Sequence, residues 1–310
     1  MLRVIPALVG SAFLMLPAGR LHARPQQSGP DATPQQVVEE LLAADRDFAR
    51  RSARTDLVTG LSAMFANEVA MRVPGPAFAR GKAAATAELK RNSENAQARV
   101  EWAPVRGGIS ADGQHGFTFG YMTVRNADGT AVPGKYVAYW VKGPAGWRVA
   151  VYKRVRSNAA PSSPVVMPPA LPARLVPVST DTAAIARHRE SLAAAERAFS
   201  AEAQKIGLSA AFAKYGHADA VNVGSPTDAE FVNGAEAIGR AVSGGSTSTD
   251  PGISWGPDDA IVASSGDLGV TMGMIRWSRP GPDGKTPAPV QFITVWRRDT
   301  TADPWRYIAE

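Results

Sequence analysis

The sequence of 310 residues contains no cysteine and only four histidines. Without cysteine the protein cannot form disulfides, use a thiol in catalysis or carry a lipid on a cysteine anchor. His115, His188 and His217 are widely spaced and stand in no cluster with carboxylates, so the spacing that metal sites require is missing. We therefore predict no metal site.

Short motifs that carry catalysis or cofactor binding are present only in part. Residues 129–135 match Gly-x-x-x-x-Gly-Lys, but Tyr136 stands where a phosphate loop has serine or threonine. Residues 252–256 match Gly-x-Ser-x-Gly, but they lie in a predicted strand and not in the strand-to-helix turn of a nucleophile elbow, and there is no dinucleotide-binding glycine fingerprint. We predict no cofactor. Beyond the N-terminus, no segment is apolar enough to cross a bilayer, which takes about 20 residues.

The N-terminus has the pattern of an export signal. Arg3 supplies a positive charge, and residues 4–16 are almost wholly apolar. Residues 17–23 resemble the cleavage region of a signal peptide, with Ala18 or Ala23 as the cleavage residue. We predict a signal peptide over residues 1–23 and export to the bacterial periplasm or the extracellular space. A buried helix of the mature protein is the alternative.

The chain also repeats its own pattern. Residues 101–104 (Glu-Trp-Ala-Pro) match 254–257 (Ser-Trp-Gly-Pro), and 116–120 (Gly-Phe-Thr-Phe-Gly) match 269–273 (Gly-Val-Thr-Met-Gly), both at an offset of 153 residues. One offset kept by two separate segments indicates a duplicated domain rather than a chance match. We predict domains over residues 35–154 and 182–310, joined by a proline-rich linker over 155–181.

Each predicted domain has helices first and long strands last, which is typical of an α+β domain with helices packed on one face of a curved antiparallel sheet. In the first domain we predict helices over residues 35–54, 57–65 and 81–91, and strands over 69–73, 99–106, 115–124, 135–142 and 147–153. The second domain repeats this order from residue 182.

The charge is divided unevenly. Residues 24–160 carry 19 basic against 12 acidic residues, whereas residues 161–310 carry 13 against 16. The arginines of the basic part are scattered and are not interleaved with stacking aromatic residues, so the pattern does not favour nucleic-acid binding. Opposite charges on the two parts favour their docking together.

The order of elements and several segments resemble the nuclear transport factor 2-like superfamily. The segments are residues 65–71 leading into 80–82, and 217–222, 233–238, 265–269 and 294–298. The second copy is similar to ketosteroid-isomerase-like and SnoaL-like relatives, in particular the bacterial group known as domain of unknown function 4440. The resemblance implies two cone-shaped domains, which in this superfamily commonly pair through their sheet faces. It leaves activity open, because one fold hosts many functions.

The catalytic residues of ketosteroid isomerase do not carry over. The tyrosine position falls on Phe48 and Phe199, and the aspartate base falls near Val73 and Gly224. The second acid falls near Ala138 or Tyr139 in the first copy and near Thr294 in the second. No residue of that set is present, so inherited isomerase chemistry is not expected.

The remaining candidate residues are two acids and six aromatic residues. Asp45 and Glu196 match between the copies and lie on the apolar stripe of the first helix, where burial raises a carboxyl pKa toward that of a general base. The alternative is a capped or salt-bridged acid at the helix edge. The candidate pocket-lining residues, for which core packing is the alternative, are Phe48, Trp102, Trp140, Phe199, Trp255 and Trp296.

Two classes of function follow. The first is an exported, non-catalytic protein whose paired domains bind an apolar small molecule or a protein partner. The second is an isomerase, dehydratase or hydrolase that uses Asp45 or Glu196 as its base. The missing catalytic set favours binding. The two domains are expected to form a pseudo-dimer within the chain, or the chain a homo-oligomer.

Overall fold

The computed structural model describes residues 32–162, 165–281 and 283–310. The first half of the chain contains three helices and six strands: α1 (Pro34–Ser52), α2 (Leu57–Met64), β1 (Phe65–Met71), β2 (Ala79–Arg80), α3 (Lys82–Arg91), β3 (Arg99–Ile109), β4 (His115–Arg125), β5 (Ala131–Gly143) and β6 (Gly146–Arg156). The predicted signal peptide lies outside the described residues.

The second half has the same order of elements: α4 (Thr182–Ile206), α5 (Leu208–Tyr215), β7 (Gly216–Asn222), β8 (Val232–Asn233), α6 (Ala235–Val242), β9 (Ile253–Val262), β10 (Leu268–Trp277), β11 (Val290–Arg297) and β12 (Arg306–Ala309). No helix of the described residues is both long and apolar enough to cross a membrane.

The two sheets share one strand order. The first is β2-β1-β6-β5-β4-β3 and the second is β8-β7-β12-β11-β10-β9. Each contains one parallel pair, β1 with β6 and β7 with β12, while the other neighbours are antiparallel. The sheets are therefore mixed rather than purely antiparallel as predicted, because the first strand of each half pairs with the last one across the sequence. The predicted α+β class is confirmed.

In each half the helices cover one face of the sheet. Helix α1 starts with a capping box at Thr33, and its buried stripe includes Val38, Leu41 and Phe48. These residues pack in one apolar cluster with Tyr136 and Trp140 of β5. Helix α4 packs in the same way on the second sheet, in a cluster that contains Leu192, Phe199 and Trp296.

The opposite faces of the two sheets share a single apolar cluster. Phe117, Phe119 and Val151 of the first sheet belong to it together with Val270 and Ile293 of the second. Alternation along each strand thus sends one set of side chains to the helices and the other set to the second sheet.

The helices begin and end within about two residues of the sequence prediction, but the strands differ more. Strand β1 begins at Phe65 rather than at residue 69, because its first residue already pairs with Val149 of β6. Strand β5 covers residues 131–143 instead of 135–142, because each added residue at its start has a partner on β4.

The segment between the two halves lies along the edge of the first sheet. Ala170 forms a parallel bridge with Gly108 of β3, and the Met167 N–H donates to the Val105 carbonyl at 2.8 Å. Farther on, the Val176 N–H donates to the Ala111 carbonyl at 2.8 Å. The proline-rich segment thereby supplies hydrogen-bond partners to an edge strand that would otherwise be open.

Candidate functional site

Asp45 of α1 lies fully buried among side chains that donate hydrogen bonds to it. The indole N–H of Trp102 donates to Oδ1 at 2.6 Å, and the hydroxyl of Tyr136 donates to Oδ2 at 2.8 Å. Trp140, which stands beside this network, donates its indole N–H to Thr118 Oγ1 at 2.9 Å.

Glu196 of α4 occupies the matching place in the second half. Trp255 donates its indole N–H to Oε1 at 2.7 Å. Oε2 accepts from the Thr271 hydroxyl at 2.5 Å and from the indole N–H of Trp296 at 2.9 Å. The tryptophans at 102 and 255, and those at 140 and 296, therefore recur because they surround the same buried acid.

Burial raises the pKa of Asp45 and the pKa of Glu196, because both carboxylates have lost their contact with water. Hydrogen bonds from the surrounding indoles and hydroxyls oppose this rise without cancelling it. Within the described residues neither acid forms an ion pair, so the alternative of a salt-bridged acid at the helix edge is wrong. The donors come from strands that face the helix.

The repeated Gly-x-Thr-x-Gly motif has a packing explanation. A Cβ at Gly116 would lie 2.5 Å from a methyl group of Leu41, and a Cβ at Gly269 would lie 2.5 Å from one of Leu192. These glycines allow the first helix of each half to lie close to the sheet. The threonine between the glycines, Thr271 in the second half, reaches the buried acid. The motif therefore serves the core.

The six aromatic candidates all lie in the two apolar cores under the helices. Trp140 and Trp296 are completely buried, Phe199 is nearly so, and Trp102 and Trp255 are half-buried. Phe199 has ring contacts with both Trp255 and Trp296, at centroid distances of 4.9 and 6.0 Å. The cavities described below and elsewhere on the surface are lined by other residues.

His115 and His217 occupy two different environments. His115 begins β4, and its Nδ1 lies 3.0 Å from the Tyr139 hydroxyl; burial lowers the pKa of His115, so its ring is neutral at pH 7. His217 and Asp219 contact each other within β7, which pairs with β12 from Gly216 onward.

Asp219 is also bound from the first half of the chain. The guanidinium of Arg106, which is almost completely buried, forms an ion pair with the Asp219 carboxylate. This contact with His217 and Arg106 keeps the pKa of Asp219 well below its usual value. The ion pair between Arg106 and Asp219 therefore joins the two sheets.

A cavity of about 550 Å³ opens beside α3, where β4, β5 and β6 reach the edge of the first half. Its apolar wall consists of Met71, Leu89, Met122, Val124 and Val132. This volume is within the range of about 300–1,000 Å³ that is common for small-molecule sites.

Three arginines, Arg72, Arg154 and Arg156, line the same cavity. Arg154 lies opposite Tyr136 across β5 and β6, and Arg156 lies opposite Gly134. Cross-strand neighbours share a face of the sheet. Both arginines therefore stand on the face that carries Tyr136 and the helices.

One residue of the second half fixes part of the cavity wall. The buried amide of Gln291 donates to the carbonyls of Val73, Gly75 and Ala77 at 2.8–3.0 Å, and its Oε1 accepts from the Val73 N–H at 3.1 Å. Val73 and Pro74 line the cavity. The shape of the cavity in the first half thus depends on β11 of the second.

The matching positions of the second half carry larger side chains. Val100 pairs with Val124, and Ile253 pairs with Trp277, at the common offset of 153 residues. Met122 pairs with Gly134, whereas Ile275 pairs with Val290. A valine and a glycine of the cavity wall are therefore replaced by a tryptophan and a valine.

Sequence reasoning did not identify these cavity residues. A signal was nevertheless present, because Tyr152, Arg154 and Arg156 alternate along one strand and must share a face. Two arginines that continue an inward-facing row are unusual, since arginine is rarely buried without a partner. Within the described residues, no group of acidic and histidine side chains could hold a metal ion.

No protein-family model and no curated protein matches this chain. Among solved structures it is similar to a nuclear transport factor 2-like superfamily protein from Salmonella enterica, with 15% identity, a TM-score of 0.32, and coverage of 42% of this chain and 96% of that one. A ketosteroid isomerase-like protein from Erwinia carotovora has 18% identity, a TM-score of 0.32, and coverage of 40% and 95%.

A third structure, from Novosphingobium aromaticivorans and described as nuclear transport factor 2-like with a cystatin-like fold, has 18% identity, a TM-score of 0.31, and coverage of 43% and 94%. Identities this low concern the fold alone and leave chemistry to be argued from the site. Over about 40% of its length, the chain is similar to solved structures described as nuclear transport factor 2-like and ketosteroid isomerase-like, the superfamily that its sequence resembles.

Proposed function

We propose that this protein is an exported, non-catalytic binding protein for a small molecule with an apolar body, and that its site is the cavity beside α3. The single observation that carries the proposal is the apolar wall of that cavity, formed by Met71, Leu89, Met122, Val124 and Val132. Burying such a wall against an apolar ligand stabilises the complex by roughly 25 cal/mol per Å² of apolar surface. Export is supported by the N-terminal sequence.

The geometry of the two buried acids favours binding over catalysis. A general base must come within hydrogen-bond distance of the proton that it removes, directly or through one water. Asp45 and Glu196 are completely buried, and their oxygens already accept hydrogen bonds from two or three protein donors. Neither acid lines the cavity beside α3. Their raised pKa values follow from burial in the core.

The two halves suit an internal pseudo-dimer in which one half holds the ligand and the other supports it. The shared apolar cluster and the contacts of Gln291 and Arg106 across the sheets support this arrangement. Because the second half takes the place of a partner subunit, we expect the protein to bind its ligand as a monomer.

The test is a thermal-shift screen of the protein against fatty acids, terpenoids, sterols and aromatic polyketides. A ligand at a hundred times its dissociation constant stabilises the folded state by about 2.7 kcal/mol, which moves the melting midpoint by several degrees. Val124→Trp places in the cavity wall the side chain that stands at the matching position of the second half. We expect this variant to remain folded and to lose the shift.

Trp277→Val is the matched control, because it makes the reverse exchange in the second half and should leave the shift unchanged. If no compound shifts the midpoint, or if Val124→Trp retains the full shift, the cavity is not the binding site. Turnover of a bound compound that is abolished by Asp45→Asn or Glu196→Gln would replace the binding proposal by the enzymatic alternative.

A further inference from the structure

We infer that the ligand of the cavity beside α3 carries an anionic group, a carboxylate or a group of like charge and shape, at one end of its apolar body. The inference rests on the proposed function and specifies the chemical class of the ligand. It is carried by two guanidinium groups, those of Arg154 and Arg156, that stand beside an apolar wall without a negative partner.

Within the part of the chain that the structure describes, the two arginines have no counter-charge. Among residues 32–162, 165–281 and 283–310, neither Arg154 nor Arg156 forms an ion pair or a side-chain hydrogen bond. The other arginines that emerge from this part of the sheet do have partners. Arg125, at the end of β4, binds Glu101, with 3.3 Å between the guanidinium nitrogen Nε and the carboxylate oxygen Oε2.

The acid that lines the cavity does not neutralise them. Glu88 of α3 is paired with Arg91 one turn later, with 3.2 Å between the charged groups. Arg72 donates its Nε–H to the Gln291 carbonyl at 3.2 Å, and burial lowers its pKa, as expected for a guanidinium that has lost part of its water. The cavity therefore has an excess of positive charge.

The asparagines of the wall are committed to the protein itself. The Asn95 amide donates to the Leu89 carbonyl at 2.6 Å, and that of Asn126 donates to the Thr130 hydroxyl at 2.9 Å. Asn92 accepts from the Glu94 N–H at 3.0 Å through its side-chain oxygen. The charged donors that line the cavity are the guanidinium groups, which bind carboxylates through paired parallel hydrogen bonds.

An anionic end and an apolar body match the two parts of the cavity. Arg154 is half-buried, so part of its hydration is already lost in the folded protein. A carboxylate placed there would supply the missing partner, while the attached apolar body would cover Met122, Val124 and Val132. A neutral ligand of the same shape would leave the guanidinium groups without that partner.

The experiment compares three acids with their methyl esters on the intact protein: octanoate, decanoate and naphthalene-2-carboxylate. In calorimetric titrations at low salt, the dissociation constant of each acid should be at least about tenfold lower than that of its methyl ester. The reason is that a charge-assisted hydrogen bond contributes more than a neutral one. Arg154→Gln should abolish most of this difference in affinity between acid and ester, and Arg156→Gln should reduce it.

Arg125→Gln is the matched control, because it removes the same charge from the end of β4, two strands away from β6, at a residue that does not line the cavity. It should leave the ratio unchanged. The melting midpoint of each variant establishes that it is folded, and Arg156→Gln, an exposed position, serves if Arg154→Gln does not fold.

The outcomes separate this inference from the proposed function. Acids and esters that bind equally well, or a ratio that Arg154→Gln and Arg156→Gln leave unchanged, would overturn the anionic class and leave small-molecule binding intact. If neither acids nor esters bind, and the broader screen also gives no shift, both proposals fail. An equal loss in Arg125→Gln would show that general charge, and not contact in the cavity, attracts the acids.

Discussion

Replacing each buried acid by its amide should affect the two halves unequally. At Glu196 the indoles of Trp255 and Trp296 donate to different carboxylate oxygens, at 2.7 and 2.9 Å. A glutamine has one carbonyl oxygen and one NH₂ group, which only donates. If the NH₂ group takes the place of Oε1, the indole N–H of Trp255 faces another donor. If it takes the place of Oε2, the indole N–H of Trp296 keeps only its hydrogen bond to Thr271 Oγ1, at 3.0 Å.

At Asp45 the same exchange can be accommodated. Trp102 donates to one oxygen, but the other oxygen is bound by the hydroxyl of Tyr136, which can reverse its role and accept. Trp140 donates to Thr118. Both substitutions remove a buried carboxyl, so that common contribution largely cancels in the comparison. A buried donor without an acceptor costs about 1–3 kcal/mol. Because Thr271 Oγ1 can still accept from Trp296, Glu196→Gln should be more destabilising than Asp45→Asn by about the lower end of that range.

The assay is equilibrium unfolding in urea at neutral pH, with the free energy of unfolding taken by linear extrapolation. Trp296→Phe in the Glu196→Gln background provides an internal check. Because it removes one of the two competing indole donors, a double-mutant cycle should give a favourable coupling energy. Equal destabilisation by the two amide variants, or a larger loss for Asp45→Asn, would refute the hydrogen-bond assignment.

Three further predictions concern pH and the contacts between the sheets. A carboxyl whose pKa is raised on folding stabilises the protein at low pH and loses that contribution as pH rises, so Asp45→Asn should flatten the fall in stability as the pH rises above about 4, the ordinary pKa of an aspartate. Urea midpoints that fall in parallel for variant and wild type would contradict this. Gln291→Ala should cost about 2 kcal/mol and speed hydrogen exchange in residues 73–77, whereas unchanged exchange would exclude the wall contact. Lys135→Met keeps the apolar stem but leaves the carbonyls of Asp228 and Glu230 without the ammonium group, so the urea midpoint should fall, and an unchanged midpoint would count against a structural role.

Local periodicity and the internal repeat were enough to predict the order of helices and strands. They were not enough to predict which strands pair when those strands are distant in sequence. The errors in the strand boundaries and in the sheet type arose for this reason. The first residues of β1 carry no alternating apolar pattern, since Asn67 and Glu68 are exposed, and they join the sheet because β6 lies beside them. The strand propensity of a segment carries no information about which strand will lie beside it.

The candidate site was predicted in part. The apolar stripe of the first helix places Asp45 and Glu196 in the interior, and the structure places them there. The hydrogen-bond donors that surround them could not be read from the stripe, because they come from strands 57 to 100 residues away in the sequence. The cavity escaped prediction for a related reason. Its wall gathers side chains from β1, α3, β4 and β5, and no single segment carries its pattern.

The two halves share an interior and differ at the edge of the sheet where the cavity lies. Trp277 and Val290 stand where the first half has Val124 and Gly134, and these larger side chains occupy the matching part of the second sheet. The same second sheet contributes Gln291, which holds the loop beside the cavity of the first half. Because the cavity wall depends on that contact, the second half contributes to binding without touching the ligand. The binding experiments therefore require the whole chain: separating the halves would remove the support for residues 73–77 together with the cover of the first sheet.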